Sequence, residues 1–415
     1  MPVNPAAART ARALAHFSQP STAAAPATIA GAPVALDDAL LAAARMISSW
    51  RQPLFGGLGT DVAGARALTR LALQTGAILD HAHGEAMTQS LRAVQDRGGF
   101  TCTLSEIRNR ADLIVCVGID PATFAPDFFQ RCGIGEAVPD APSRREVIFL
   151  RVAGGDEAAG SSGAPAVEVT RGSGIGEDTD GMQVEVIDLT VDIHVVLAEL
   201  NAACSGRKVP CASGEWATLR DLASRLQGAR YAVLVHALAG QFPGGHAALL
   251  VETLSRIVKT LNRTTRAAAF ALGSADGSST VSQTATWLTG LPLRTALHAR
   301  GFEHDPHRFG ASSMLQSGAA DGLLWVSSFS PHLVPPLPKE GVPPLVVLGH
   351  PAMAARFDMR ACVFIAVSTP GVNAPGHLFR SDGGIVLALK PFATTELPGV
   401  ADIAQRLLGL LENGS

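Results

Sequence analysis

An α/β fold with several Rossmann-like, mainly parallel sheet units is predicted by three observations. Short apolar runs of strand length recur along the chain, and stretches with apolar residues every three or four positions stand between them. Hydrophobic residues make up 47% of the chain but aromatics only 5%, so small side chains must fill the space between helices and sheets. The length of 415 residues can support about two or three compact domains, each with a buried core.

The elements follow in order. Met1 to Thr28 is rich in Ala, Pro and Ser and has no acidic residue. A flexible amino-terminal arm is expected over residues 1–30, lacking the compact apolar core of a secretory signal. Pro53–Thr60 reads as a short apolar strand entering a glycine turn, followed by an Ala/Leu/Arg helix through Gln74. Ile78–Gly84 is a short strand and loop leading into a helix. Thr103 opens a capped helix, and Asp112–Gly118 is a buried strand closed by Pro121, which has no N–H for a sheet ladder. Glu146–Val152 and Met182–Leu189 are strands either side of the Gly/Ser/Asp-rich loop Gly154–Ala164, and Ile193–Ala203 is an amphipathic helix. Residues 31–214 are assigned to this first α/β region.

The second region, 215–415, begins with a helix over Thr218–Leu226 and a strand over Arg230–His236. A helix from His246 to Asn262 and a strand over Ala267–Leu272 follow. Asp321–Val326, Pro344–Leu348 and Val363–Val367 repeat the layout. Both blocks are predicted to be Rossmann-like, although neither carries an intact Gly-x-Gly-x-x-Gly at a strand end. Gly240–Gly245 comes nearest.

A net charge near -3 provides no basic field for nucleic acid or anionic lipid. No apolar run approaches the ~20 residues that span a bilayer, and a cytoplasmic protein is expected. The six cysteines, at 102, 116, 132, 204, 211 and 362, include no Cys-x-x-Cys pair, and their spacing suits neither zinc nor an iron–sulfur cluster. Cys116 and Cys362 read as core residues of apolar strands, and Cys102 as a loop thiol. In His304-Asp-Pro-His307 the proline favours a turn over a helical metal site. Ser213 and Ser327–Ser330 form no nucleophile elbow. His236 and His246 flank the glycine-rich loop, either as contacts for an anion at a helix start or as satisfied loop histidines.

The most informative stretch is Ile78-Leu-Asp-His-Ala-His-Gly84, followed by Thr103-Leu-Ser-Glu-Ile-Arg-Asn-Arg-Ala-Asp112 and Gly118-Ile-Asp-Pro121. Further along stand Leu261-Asn262, the glycine-containing loop 273–277, Trp287-Leu-Thr-Gly-Leu-Pro292, the Asp-led strand Asp321–Val326, and Pro370–Asp382 with Gly371, Gly376, Arg380 and Asp382. In their shared order these segments resemble the B subunits of the formylmethanofuran dehydrogenases, a branch of the molybdopterin oxidoreductases. The resemblance implies a molybdopterin oxidoreductase-like fold over most of the chain.

It also exposes three departures. The family's Cys-His-Gly-Pro motif supplies a thiolate to tungsten or molybdenum, and here the tetrapeptide is Ala82-His83-Gly84-Glu85. A methyl group cannot coordinate a metal. The family's cluster-binding cysteines have no counterpart in residues 1–101, and its functional arginine has none in Ala269–Gly277. Within the family, chains without the metal ligand resemble the B subunits of bacterial formyltransferase/hydrolase complexes. That likeness implies a non-catalytic assembly subunit in tetrahydromethanopterin-linked oxidation of formaldehyde to formate. Ala82, His83 and Gly84 would then be a vestigial site, with no catalytic, cofactor-binding or metal-ligating residue in this chain. The implied partners are a formyltransferase, a metal-dependent hydrolase and further subunits. Two alternatives stay open: an active molybdenum or tungsten–pterin enzyme in which Asp80, His81 or Glu85 replaces the cysteine, and a stand-alone small-molecule binder using the Rossmann-like blocks.

Overall fold

A computed structural model describes residues 26–125, 127–134, 142, 144–152, 182–210, 212–241, 246–273, 276–356, 362–380, 382 and 385–413. The loop Gly154–Ala164, Cys211, residues 242–245 and all but the end of the expected arm lie outside them. The described strands are β1 (Ala27–Ile29), β2 (Ala32–Pro33), β3 (Pro53–Gly59), β4 (Ile78–Leu79), β5 (Leu113–Val117), β6 (Arg145–Arg151), β7 (Met182–Asp188) and β8 (Tyr231–His236). They continue with β9 (Arg266–Ala271), β10 (Thr295–His298), β11 (Gly301–His304), β12 (Gly322–Ser327), β13 (Leu345–Gly349), β14 (Cys362–Ala366), β15 (Gly376–Phe379) and β16 (Val386–Leu389).

The chain forms two compact units, and the second is inserted into the first. One comprises residues up to 84 and from 274 onward, the other residues 85–273. The helix Gly84–Arg97 carries the chain from the first to the second.

The first unit is organised by a nine-stranded sheet in the order β11-β10-β4-β3-β12-β13-β14-β1-β2. Its centre, from β4 to β14, is parallel, and its edges are antiparallel. The central strands β3, β12, β13 and β14 are buried along their whole length, which is why they read as unbroken apolar runs rather than alternating ones. Trp325, Phe364 and Met353 anchor one core of this unit. The arm expected through residue 30 ends earlier, because Ala27–Ile29 pairs with Val363–Ile365 of β14.

The second unit holds a five-stranded parallel sheet, ordered β7-β6-β5-β8-β9. One face is covered by the helices Ile193–Cys204, Trp216–Gly228 and His246–Leu261 around Leu197, Leu222 and Leu254. Phe128, Phe149 and Phe270 fill a core on the other face. This is a doubly wound, Rossmann-like arrangement. The domain division expected at 214/215 does not coincide with the compact units. It would separate β8 from β5, its hydrogen-bonded neighbour. The strands β12–β14, expected to repeat the Rossmann-like layout of the second region, continue the sheet of β3 instead. Partner choice between strands more than a hundred residues apart leaves no local mark in the sequence.

The helix starting after Thr103 is held by a capping box, with Thr103 and Glu106 bonding each other's backbone N–H. His304-Asp-Pro-His307 enters a turn, as expected, with Asp305 Oδ1 accepting from the His307 and Arg308 N–H groups at 2.9 Å. Cys116, Cys132 and Cys362 are buried. Burial pushes the Cys132 and Cys362 thiols up to about 12 and holds Cys116 well above the ordinary thiol value. Cys102 is also buried and donates to the Ala269 carbonyl. His236 is buried and its imidazole is lowered to about 4 by loss of solvent, while His246 packs edge-on against His194.

Candidate functional site

The loop Asp80–Gly84 is set by a bulge in the neighbouring strand. β3 and β12 run in register from Pro53/Gly322 to Gly56/Trp325, then shift between Trp325 and Ser327. The fully buried Trp325 indole requires the two glycines opposite it. A Cβ on Gly56 would lie 2.9 Å from Cε3, and one on Gly57 would lie 2.6 Å from the Val326 carbonyl. Gly57 and Leu58 both adopt positive φ, 73° and 51°, a conformation that glycine accepts freely and leucine only at a cost. The bent strand still binds the loop: Phe55 O accepts from Asp80 N at 3.0 Å and Gly57 O from Ala82 N at 3.2 Å.

Asp80 is 2% exposed. Its Oδ1 accepts from His81 N at 3.0 Å and faces Arg294 Nε at 3.5 Å, and its Oδ2 accepts from Ala311 N at 2.7 Å. Burial outweighs the guanidinium and raises this carboxyl to about 6, because removing water costs the charged form more than the ion pair returns. Arg294 is also enclosed. It donates to Pro306 O at 2.6 Å, and a Cβ on Gly310 would touch its guanidinium at 3.3 Å. Gly84 owes its identity to the same carboxylate, since a Cβ there would fall 2.0 Å from Asp80 Oδ1.

His81 has both ring nitrogens in use. Nδ1 accepts from the His83 N–H at 3.0 Å, so in the neutral ring the proton sits on Nε2, 3.2 Å from the Asp276 carbonyl that accepts it. Burial lowers this imidazole to about 4, consistent with a neutral, structural histidine. His83 is partly exposed; its Nε2 makes a long contact with Asp276 Oδ2 at 3.3 Å and its ring lies tilted against that of His81, 5.4 Å between centroids. Asp276 itself has φ 52° and the adjoining Gly277 φ 75°, where a Cβ would meet the Thr60 carbonyl at 2.6 Å. Ala82 turns its methyl against the core built around Trp325.

The donor set therefore does not fit a dithiolene-bound tungsten or molybdenum. The position of the family's thiolate holds a methyl packed on the core. Both Asp80 oxygens and both His81 nitrogens are bonded within the protein, and Glu85 Oε1 accepts from Gln89 Nε2 at 2.7 Å. Among the described residues no group of three or more His, Cys, Asp or Glu side chains is arranged to hold a metal ion. Arg294 and Asp276 were not singled out in the sequence. The Asp276-Gly277 pair is a turn signal that would have marked the loop; Arg294 carries no local signal, since its partner Asp80 lies 214 residues away. At the far end of the resemblance, Arg380 pairs with Asp382, and Gly376 sits where a Cβ would press on Pro370 at 2.7 Å.

Fold and loop define an α/β chain with a doubly wound insert and a loop, Asp80–Gly84, whose Asp80 carboxylate and His81 imidazole are bonded within the protein. No family model matches the sequence. The chain is 28% identical over 381 residues to the B subunit of the formyltransferase/hydrolase complex of Methylorubrum extorquens, covering 92% of this chain and 95% of that one. It is 24% identical over 353 residues to the B subunit of the tungsten-containing formylmethanofuran dehydrogenase 2 of Methanocaldococcus jannaschii, covering 82% and 75%. Its fold matches a chain of the M. extorquens formyltransferase/hydrolase complex, whose crystal structure was solved with methylofuran, at a TM-score of 0.74, 24% identity and 94% and 99% coverage. The chain is similar to these B subunits over most of its length, as the resemblance implied. No described helix is long and apolar enough to cross a membrane.

Proposed function

We propose that this chain is the B subunit of a formyltransferase/hydrolase complex and serves there as a non-catalytic assembly subunit. Formyl transfer and hydrolysis belong to its partners, of which the hydrolase is metal-dependent. The chain binds no cofactor of its own, and Ala82, His83 and Gly84 are the remains of a ligand loop in a cytoplasmic complex. The observation that carries this reading is the contrast at one loop. Similarity runs through 92% of the chain, while the position that would coordinate the metal holds Ala82, packed against the core. A protein kept only for its shape has reason to keep Asp80, Arg294 and Gly84, which hold backbone, and none to keep the cysteine.

An active enzyme with a substitute ligand would have to break existing bonds to free Asp80 or His81. A stand-alone binder would have no need for partner subunits. Capture of the tagged chain from its native host distinguishes these readings. The expected result is co-elution with a formyltransferase and a hydrolase in fixed proportion. Elution of the folded chain by itself would contradict the proposal.

A further inference from the structure

The second unit concentrates cations at one edge. Its five strands are parallel, so the helices that return the chain end where the strands begin. Arg110 closes the helix Leu104–Arg110 ahead of β5, Arg230 lies between the helix Trp216–Gly228 and β8, and Arg266 starts β9 after the helix His246–Leu261. These three arginines line one open concavity of about 900 Å³ together with Asn109 and Glu106. Glu106 is committed to the capping box at Thr103. Burial pushes the Tyr231 phenol in the same wall up to about 12, while the charges of Arg110 and Arg266 pull against it.

A second concavity of about 500 Å³ is lined by Arg207, Arg256, Lys259 and Arg263 without any acidic residue. The two hollows draw on one stretch of chain, the end of the helix His246–Leu261 and the turn into β9: Lys259, Thr260 and Arg263 line the second, Asn262 and Arg266 the first. That turn is fixed by Asn262, whose Nδ2 donates to Val258 O at 2.8 Å and Ala267 O at 2.7 Å. Of the seven cations, Arg256 is paired with Glu252, whereas Arg110, Arg207, Arg230, Lys259, Arg263 and Arg266 form no ion pair with any described residue. Cations near helix carboxyl ends also relieve the helix dipole, which accounts for single residues at each end. It does not account for two adjoining hollows with one acid between them, in a chain whose net charge is -3.

We infer that this edge is a docking surface for an acidic polypeptide segment that crosses the turn 259–266 and fills both hollows. Arginine forks take carboxylates in pairs, and among the described residues six of the seven cations have no carboxylate to satisfy them. A nucleic acid is the less favoured partner, because the rest of the chain is acidic on balance and the second hollow holds no aromatic side chain for base stacking, although Phe100 and Tyr231 line the first. This surface is separate from the assembly reading, since it is tested on the isolated full chain with a defined probe.

The probe is a short fluorescent oligo-aspartate peptide, titrated at low salt and again with rising salt. Binding is expected, and it should weaken as salt screens the contacts. Arg110→Glu/Arg230→Glu/Arg266→Glu should reduce affinity by about tenfold or more, and Arg66→Glu/Arg70→Glu on the helix Val62–Thr75 should leave it unchanged. If charge reversal unfolds the chain, the three arginines changed to Gln serve instead, with folding checked by thermal melting. Absence of peptide binding at low salt would overturn the inference. So would equal losses in the two variants, or tighter binding of a short RNA than of the peptide.

Discussion

The two ends of the loop Asp80–Gly84 behave differently. At the Asp80 end every polar group is spent on structure: both carboxylate oxygens, both His81 nitrogens and the N–H of Gly84, which donates to His81 O at 2.8 Å. At the Ala82–His83 end a methyl rests on the core and a partly exposed imidazole makes a long contact with Asp276 and a tilted ring contact with His81. The end that shapes the backbone is over-determined, and the end at which the resemblance implies a metal ligand is nearly idle. A subunit whose job is shape would hold its sequence at the first end and drift at the second.

The largest effect should come from breaking the buried end. Arg294→Met leaves a buried carboxylate unpaired and is expected to destabilise the protein by roughly 3–5 kcal/mol near neutral pH, read by urea unfolding. Adding Asp80→Asn should recover part of that loss. No loss in the single variant would mean that the buried end is not the structural one. Gly84→Ala drives a methyl into Asp80 and should cost roughly 1–3 kcal/mol, with the carboxylate or the loop shifting to make room.

Acid unfolding sharpens the contrast further. The folded His81 imidazole lies at about 4 against an ordinary 6.5, so the unfolded state takes the proton first. Stability is therefore lost as pH falls from about 6.5 toward 4. Asp80 works in the opposite sense: its carboxyl is raised to about 6, so its contribution is fully present in acid and lost as pH rises through about 6. His81→Gln should flatten the acid limb by one proton, about 1.4 kcal/mol per pH unit, and Asp80→Asn should steepen it. An unchanged profile in both would show that neither group titrates as its surroundings dictate. The smallest effect belongs to the idle end. His83→Ala should change stability by less than about 1 kcal/mol and leave formate release by the assembled complex intact. Loss of that release with assembly preserved would restore a catalytic role to His83.

Much of this was legible in the sequence, for reasons particular to each element. Leu113–Val117 and Leu345–Gly349 are buried on both faces, and such strands announce themselves as continuous apolar runs. Thr103 and Pro306 act through local backbone chemistry, so a capped helix and a turn could be read directly. What stayed hidden was non-local. The sheet that joins β8 to β5, the Asp80–Arg294 pair and the Asp276 contacts all depend on residues brought together from distant parts of the chain. The antiparallel strands at the two margins of the nine-stranded sheet, β1, β2, β10 and β11, are two to four residues long, too short for a period to show.

The most direct test of the central claim is the tungsten, molybdenum and pterin content of the complex captured through this chain from its native host. If the loop has lost its ligand for good, those metals and the pterin fall far below one per copy of the chain while formyl transfer and hydrolysis proceed in the same sample. One tungsten or molybdenum with bound pterin per copy would contradict the account, whatever the bonds around Asp80 and His81.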